Sequence, residues 1–442
     1  MTGILVYTQT VTPRIRYIFR HVLKHILEID VEFASNLETF VAHQGAKLSY
    51  GDQPMGSGLF VQSHGLLQES GIRELDLTVT DWASLPCFFP CSDPSSCVPY
   101  DIFAASFFLI TRYEEYQRVP SRKIPEFDAT HSLAYTYRFL QSPVVDLWAY
   151  RFREVMEDTF GTVPEVSRRT TILPMFVVSD TFKYKRKGIL RSVGRTVEDL
   201  SRLQLTTILE RMRVLLKIKR DPYDSYEWIL RFRKQRNLEF LFLFGLGNYS
   251  RYEKNIGYLN KSYRMLIKSV ADHATVGLRL SYAAVQLQKS LKIEKERLEG
   301  IINYPPEHSV CSDYKIMFPE TYRNLVESEI THDYSMGYPT HAGFRAGTCI
   351  PFFFYDLVYE IQTPLRVHSF CCTPQSFDEI YDPKVAKVKF TELQQRIIQV
   401  QGECIPAFSN ALFTATERGR FWRKVFGYLM GPASESSTVH RS

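Results

Sequence analysis

The pattern of hydrophobic positions changes once along the chain, near residue 171. Over the first 165 residues, short alternating or apolar runs are interleaved with stretches of helical period. ILVYTQ opens as a strand. Thr12 and Pro13 are then the residue types favoured at a helix N-cap and first turn, and Ile15, Ile18, Phe19, Val22 and Ile26 make one apolar face. His21 and His25 are four apart on that helix but lie off the stripe. With no third ligand matched by spacing, they read as a solvated face rather than a metal pair. VEFAS, KLSY and GLFVQ read as strands, and residues 86–100, rich in Pro, Ser and Cys, as a loop. DIFAASFFLITRYEEY and SPVVDLWAYRFREVMEDTF carry apolar and aromatic residues at helical intervals.

From residue 171 the pattern becomes strands alternating with helices. TILPMFVVS and LEFLFLFGL are continuous apolar runs, as expected for strands buried on both faces of a parallel sheet. ATVGLRLS, DYSMGY, GFRAG, LRVHSF and CIPAFSN are further strand candidates. Helices are expected over 196–217, 222–236, 253–271, 284–300, 315–328 and 388–401. About seven strands with intervening helices predict an α/β fold: a distorted (β/α) barrel preceded by a smaller mixed α/β domain, with an open doubly wound sheet as the alternative. The expected boundaries are 1–166 for the N-terminal domain, 167–429 for the barrel and 430–442 for a small, polar, disordered tail.

Composition narrows the class. An apolar fraction of 45% with 14% aromatics suits packed globular domains. The net charge of +6 over 442 residues requires no anionic partner, and nucleic-acid binding is not expected. The N-terminus has no basic region before an apolar one and no cleavage site, and no run nears the ~18 apolar residues that span a bilayer. The expectation is a cytoplasmic protein whose eight cysteines are reduced. Cys87, Cys91 and Cys97 fit no common zinc spacing and read as part of a loop. The basic, partly apolar stretch 205–220 is an expected point of peripheral contact with an anionic membrane, weighed against a solvated helix face.

In a βα barrel, chemistry gathers where strands end. Among the residues there, Asp180, Asp333, Arg345 and His368 are the candidate cleft residues, with His332 beside Asp333. Each also has a plain structural reading: a helix cap for Asp180, an ion pair for Arg345, a hydrogen-bonded core residue for His368. No GxSxG elbow, Walker A loop or HExxH helix is present, and the GLG at 245–247 lacks the third glycine of a dinucleotide site.

Several long segments resemble one bacterial family. GLFVQSHGLL, YDIFAASFFLITRYEEYQ and SLAYTYRFLQSPVVDLWAYR in the first domain, and FKYKRKGILRSVG, KRDPYDSYEWI, GNYSRYEKNI, FPETYRNL, DYSMGYPTHAGFRAGTCIPFFFYDL and LRVHSF in the second, look like polysaccharide deacetylase-like (NodB-like) proteins with an extra N-terminal domain. The chain is also similar to carbohydrate deacetylases of virulence-modulating and surface-glycan loci. The resemblance implies a distorted βα barrel and metal-dependent, usually zinc-dependent, hydrolysis of an acetyl group on a sugar. Its motif positions are substituted here. The Asp-x-Asp that ends the family's first strand falls on Val177 and Ser179, with Asp180 one residue along. The His-Pro-Ser-Tyr after the third strand is Arg279-Leu280-Ser281-Tyr282, an upstream Arg-x-His is Val310-Cys311-Ser312, and the late His-Asn is Ser409-Asn410.

Three functions are therefore expected to compete. The first is a catalytically degenerate deacetylase-like protein, with no cofactor, that binds a carbohydrate, glycoconjugate or glycan-biosynthesis partner. The second is an active metal-dependent deacetylase or esterase in which Asp180, Asp333 and His368 converge on zinc and Arg345 assists. The third is a peripheral membrane or scaffold protein using 205–220.

Overall fold

The structure is a computed structural model that describes residues 3–117, 127–185, 205–250, 253, 256–377 and 382–431. The expected tail from 432 onward, most of the KYKRKGILRSVG stretch and the start of the helix expected over 196–217 lie outside the described residues. The protein is mixed α/β, and its chain divides into two compact units. One gathers Met1–Thr171, Asp313–Cys372 and Leu393–Cys404; the other gathers Ile172–Ser312, Thr373–Glu392 and Ile405–Ser442.

In the first unit, four parallel strands form a sheet: β1 (Gly3–Tyr7), β2 (Asp30–Ala34), β3 (Ala46–Gly51) and β4 (Leu59–Gln62), in the order β2-β1-β3-β4. The four expected runs supply them. Thr12 caps the following helix, accepting from the Ile15 amide at 3.1 Å, and Pro13 opens it. The helix then widens into a π-helical stretch over Arg20–Ile26. The extra residue per turn rotates the face that follows, and His21 points inward, only 1% exposed and packed edge-on to Phe352. This corrects the solvated-face expectation. Burial pushes His21 down to about 3, so the ring is neutral. The helix Ile102–Ile110 is buried all round, and Phe103 stacks on Phe19 at 3.8 Å. Aromatic contacts continue through Phe88 to Trp148 on the long helix Val144–Phe160.

The same unit holds the strands His332–Met336, Phe352–Asp356 and Ile361–Ser369. The last runs parallel to the first and antiparallel to the second. The strand expected at GFRAG is absent: residues 343–347 form turns. Gly343 and Gly347 take positive φ values of 138° and 67°, which an extended strand does not accommodate. Extended structure lies instead in the aromatic run Phe352–Asp356.

Five parallel strands occupy the second unit, in the order His308–Val310, Thr275–Arg279, Leu241–Gly245, Met175–Val178, Ala407–Phe408. Leu241–Gly245 is buried at every position, as its apolar run predicts. The helices Leu205–Leu215, Tyr226–Arg236, Lys261–Ala271 and Gln288–Ile302 alternate with these strands. Phe176 stacks on Phe242 at 4.8 Å, and Phe408, Phe413, Phe426 and Trp228 close an aromatic core around them. Among the described residues, no helix is long and apolar enough to cross a membrane.

Candidate functional site

The parallel strands of the second unit end on a buried polar cluster. Arg279 is the last residue of its strand, in register with Gly245 on one side and Val310 on the other. Its side chain crosses over Gly245, where an added Cβ would lie 3.3 Å from Nη1. Nη1 donates to Glu253 Oε2 at 2.8 Å and Nη2 to Ser312 Oγ at 2.7 Å, while Ser312 Oγ donates to Glu253 Oε1 at 3.4 Å. Arginine and glutamate side chains are 6% and 8% exposed, so the pair is buried, and among the described residues Arg279 Nε has no partner. Removing either charge would strand the other in a poorly solvated interior.

Two residues after Arg279, Ser281 meets a second carboxyl, that of Glu294. Ser281 caps the helix Tyr282–Gln286, its Oγ accepting from the Ala284 amide at 3.1 Å and donating to Glu294 Oε1. The Ser281 amide donates to Glu294 Oε2 at 3.1 Å. Gly247 faces this contact; a Cβ there would come within 2.7 Å of Ser281 Cβ. Burial pushes Glu294 up to about 7. The Ser281 hydrogen bonds oppose the rise, nearby Glu253 adds to it, and Arg297 opposes it. Glu253 and Glu294 carried no signal in the sequence analysis, because isolated glutamates on a loop and a helix look like ordinary surface charge.

Asp180 follows the strand Met175–Val178. Its backbone carbonyl accepts from Asn410 Nδ2 at 3.1 Å, as do the carbonyls of Tyr223 at 3.1 Å and Thr181 at 3.4 Å. Asn410 is fully buried, its Oδ1 without a partner among the described residues, and Ser409 Oγ accepts from the Ala411 amide. Ser409-Asn410 thus ties together the loops after two strands. Val177 is a core residue of its strand, and Ser179 is exposed.

The other three sequence candidates belong to the first unit, each inside a local network. Asp333 is fully buried and accepts from Tyr322 Oη at 3.1 Å and from the Ser335 amide and hydroxyl, each at 2.9 Å. Arg345 makes a bidentate pair with Glu115 at 2.8 and 2.6 Å. Arg112 donates to the same carboxylate at 2.7 Å and to Glu114 at 2.6 Å. Burial raises Glu115, yet Arg345 and Arg112 outweigh it and hold the carboxyl below its ordinary value. His368 stacks on Tyr334 at 4.5 Å; its Nε2 lies 2.9 Å from His332 Nδ1 and its Nδ1 2.8 Å from Glu403 Oε2. The structure therefore brings His332, His368 and Glu403 into one hydrogen-bonded row, whereas Arg345 and Asp333 keep separate partners. In the basic stretch, Leu209, Leu216 and Ile218 are exposed, and Glu210 pairs with both Lys183 and Lys219.

Zinc needs three or more converging His, Cys, Asp or Glu donors. Among the described residues, no such group is present. At the end of Thr275–Arg279, the side chain in line for the role is a guanidinium, which has no lone pair to give a cation and repels one by charge. The residues present there do not fit the metal that the family resemblance implies.

Residues 4–161 match DUF7033, a family of unknown function. The sequence matches no curated protein. Among solved structures, the chain is similar to a "putative polysaccharide deacetylase" from Mycobacterium smegmatis, at 12% identity over 62% of this chain and 87% of that one, with a TM-score of 0.38. It is similar to Puue allantoinase at 10% identity, over 61% and 88% of the two chains, with a TM-score of 0.36. A CE4 family pseudoenzyme from Bacillus anthracis is similar at 10% identity, over 60% and 66%, with a TM-score of 0.28.

Proposed function

We propose that this chain is a deacetylase-like protein that has given up metal-dependent hydrolysis and binds a carbohydrate, a glycoconjugate or a partner in surface-glycan biosynthesis. The observation that carries this reading is the buried Arg279–Glu253 pair. By the motif resemblance, Arg279 stands where a metal-ligating histidine is expected, and its guanidinium is held in place by two hydrogen bonds, one of them the ion pair with Glu253. A cation brought there would have to displace a neutralised charge pair and then meet a positive group. Glu294 and Ser281 are likewise engaged with each other rather than presented to a reacting bond.

The test is direct. Purified protein is dialysed against zinc, its metal content is measured, and acetate release is followed on acetylated chito-oligosaccharides and on an O-acetyl ester. Substoichiometric metal and no acetate above the protein-free control are expected. One tightly held zinc per chain together with catalytic turnover would overturn the proposal.

A further inference from the structure

We infer that the N-terminal sheet carries a saccharide-binding cleft of its own, at the carboxyl ends of β1 and β3. The inference does not rest on the deacetylase-like reading, which concerns the other unit. It starts from topology. The strand order β2-β1-β3-β4 means that the chain leaves β1 toward β2 on one side, and returns to lay β3 on the other. The loops after β1 and β3 therefore diverge, and a crevice opens between them. In open parallel sheets, this reversal point is where ligands bind.

The crevice is present and of ligand size. A cavity of about 570 Å³ lies there, lined by Tyr7–Thr10 and Thr12 after β1, by Ser49–Gln53 and Met55 at the end of β3, and by part of the 65–69 turn. That volume is in the usual range for small-molecule sites. Its base is fixed by bonds internal to the protein: Thr12 Oγ1 donates to the Leu67 carbonyl at 2.6 Å, and Ser49 Oγ accepts from the Met55 amide at 3.3 Å. Its rim is not. The side chains of Gln9, Thr10, Asp52 and Gln53 make no hydrogen bond to any described residue.

The chemistry of the lining selects the ligand class. No lysine or arginine lines the cavity, so a phosphate or carboxylate group would enter without a counter-charge and face Asp52. The lining is instead hydroxyls, primary amides and two carboxylates, Asp52 and Glu69, the second paired with Arg73 at 2.8 Å, beside Met55. Planar amides and carboxylates pair with vicinal hydroxyls two bonds at a time. A neutral mono- or oligosaccharide matches this set.

The experiment titrates the whole protein with N-acetylglucosamine, galactose and chitotriose at millimolar concentration, and with inorganic phosphate and ADP as anionic probes, read by ligand-observed NMR and calorimetry. Asp52→Ala and Gln53→Ala, both at exposed positions with no internal partner, are measured alongside, with Tm as the folding control. Saccharide binding that weakens about tenfold or more in the double variant, with Tm unchanged, is the expected result. No saccharide binding by the parent protein, preferential binding of phosphate or ADP, or saccharide binding indifferent to both substitutions would overturn it. The last outcome would leave the proposed glycan-binding function standing while removing this cleft as its site.

Discussion

Glu294 makes the stability of the protein depend on pH in a direction that can be worked out. Its carboxyl titrates at about 7 in the folded state against an ordinary value of 4.5. Between these values the folded state holds a proton that the unfolded state releases, so stability falls as pH rises. The penalty is absent below about pH 4.5 and complete above about pH 8, amounting to about 3 kcal/mol at most from this group. Glu294→Gln keeps a hydrogen-bonding head beside Ser281 and removes the charge. Denaturant melts are expected to show the variant more stable than the parent by about 1–3 kcal/mol at pH 8.5, and nearly equal at pH 5. A difference independent of pH would show that Glu294 does not titrate in this range. Arg279 and Glu253 obey a different rule. Arg279→Met leaves a carboxylate buried alone and is expected to cost about 3–5 kcal/mol, whereas Arg279→Met with Glu253→Leu should recover most of that loss. A loss in the double variant equal to the sum of the losses in Arg279→Met and Glu253→Leu would show that the two charges are not coupled.

At the scale of elements, the strands that read most clearly are those whose apolar run is continuous. LEFLFLFGL contains Leu241–Gly245, buried at every residue. Burial on both faces writes itself into composition, so no tertiary knowledge is needed. His308–Val310 is not legible in the sequence because three residues carry no period, and Phe352–Asp356 because an aromatic run following a proline is equally consistent with a buried loop. The π-helical stretch Arg20–Ile26 defeats a 3.6-residue reading by its own geometry. Where the strands Thr275–Arg279 and His308–Val310 pass, Gly277 is required by space: a Cβ would lie 2.7 Å from His308 Cβ and 2.8 Å from Leu243 Cδ2. Gly277→Ala is expected to destabilise the fold by roughly 2 kcal/mol or more, since backbone on one side and a packed leucine on the other have no room to give. A melting temperature equal to the parent's would contradict that account.

At the scale of the whole molecule, the first unit is not a continuous stretch of chain. Buried groups from residues 1–171 find their partners in 313–372. Asp146 accepts from Thr348 Oγ1 at 2.6 Å and from the Cys349 amide at 2.8 Å. Burial pushes its carboxyl up to about 6, against those bonds. Glu115 pairs with Arg345, and Arg14 with Glu360. A fragment ending at residue 166 would leave these groups buried and unpaired, or expose the apolar faces around them. Such a fragment is expected to show no cooperative thermal transition by circular dichroism. A fragment that melts sharply would establish the N-terminal segment as an independent domain.

What the amino-acid sequence determined by itself is everything that depends on neighbours a few residues away: the runs that become parallel strands, the Thr12 cap with Pro13 after it, and the buried helix Ile102–Ile110. Tertiary structure alone decided which charges meet. Arg345 lies 230 residues from Glu115, and Glu253 reaches Arg279 across 26. A lone arginine in a sequence is as consistent with a cleft as with a core. The reason is physical: the periodicity of a side chain is set by its own backbone, whereas the partner that neutralises a buried charge is set by whichever distant segment the fold lays beside it.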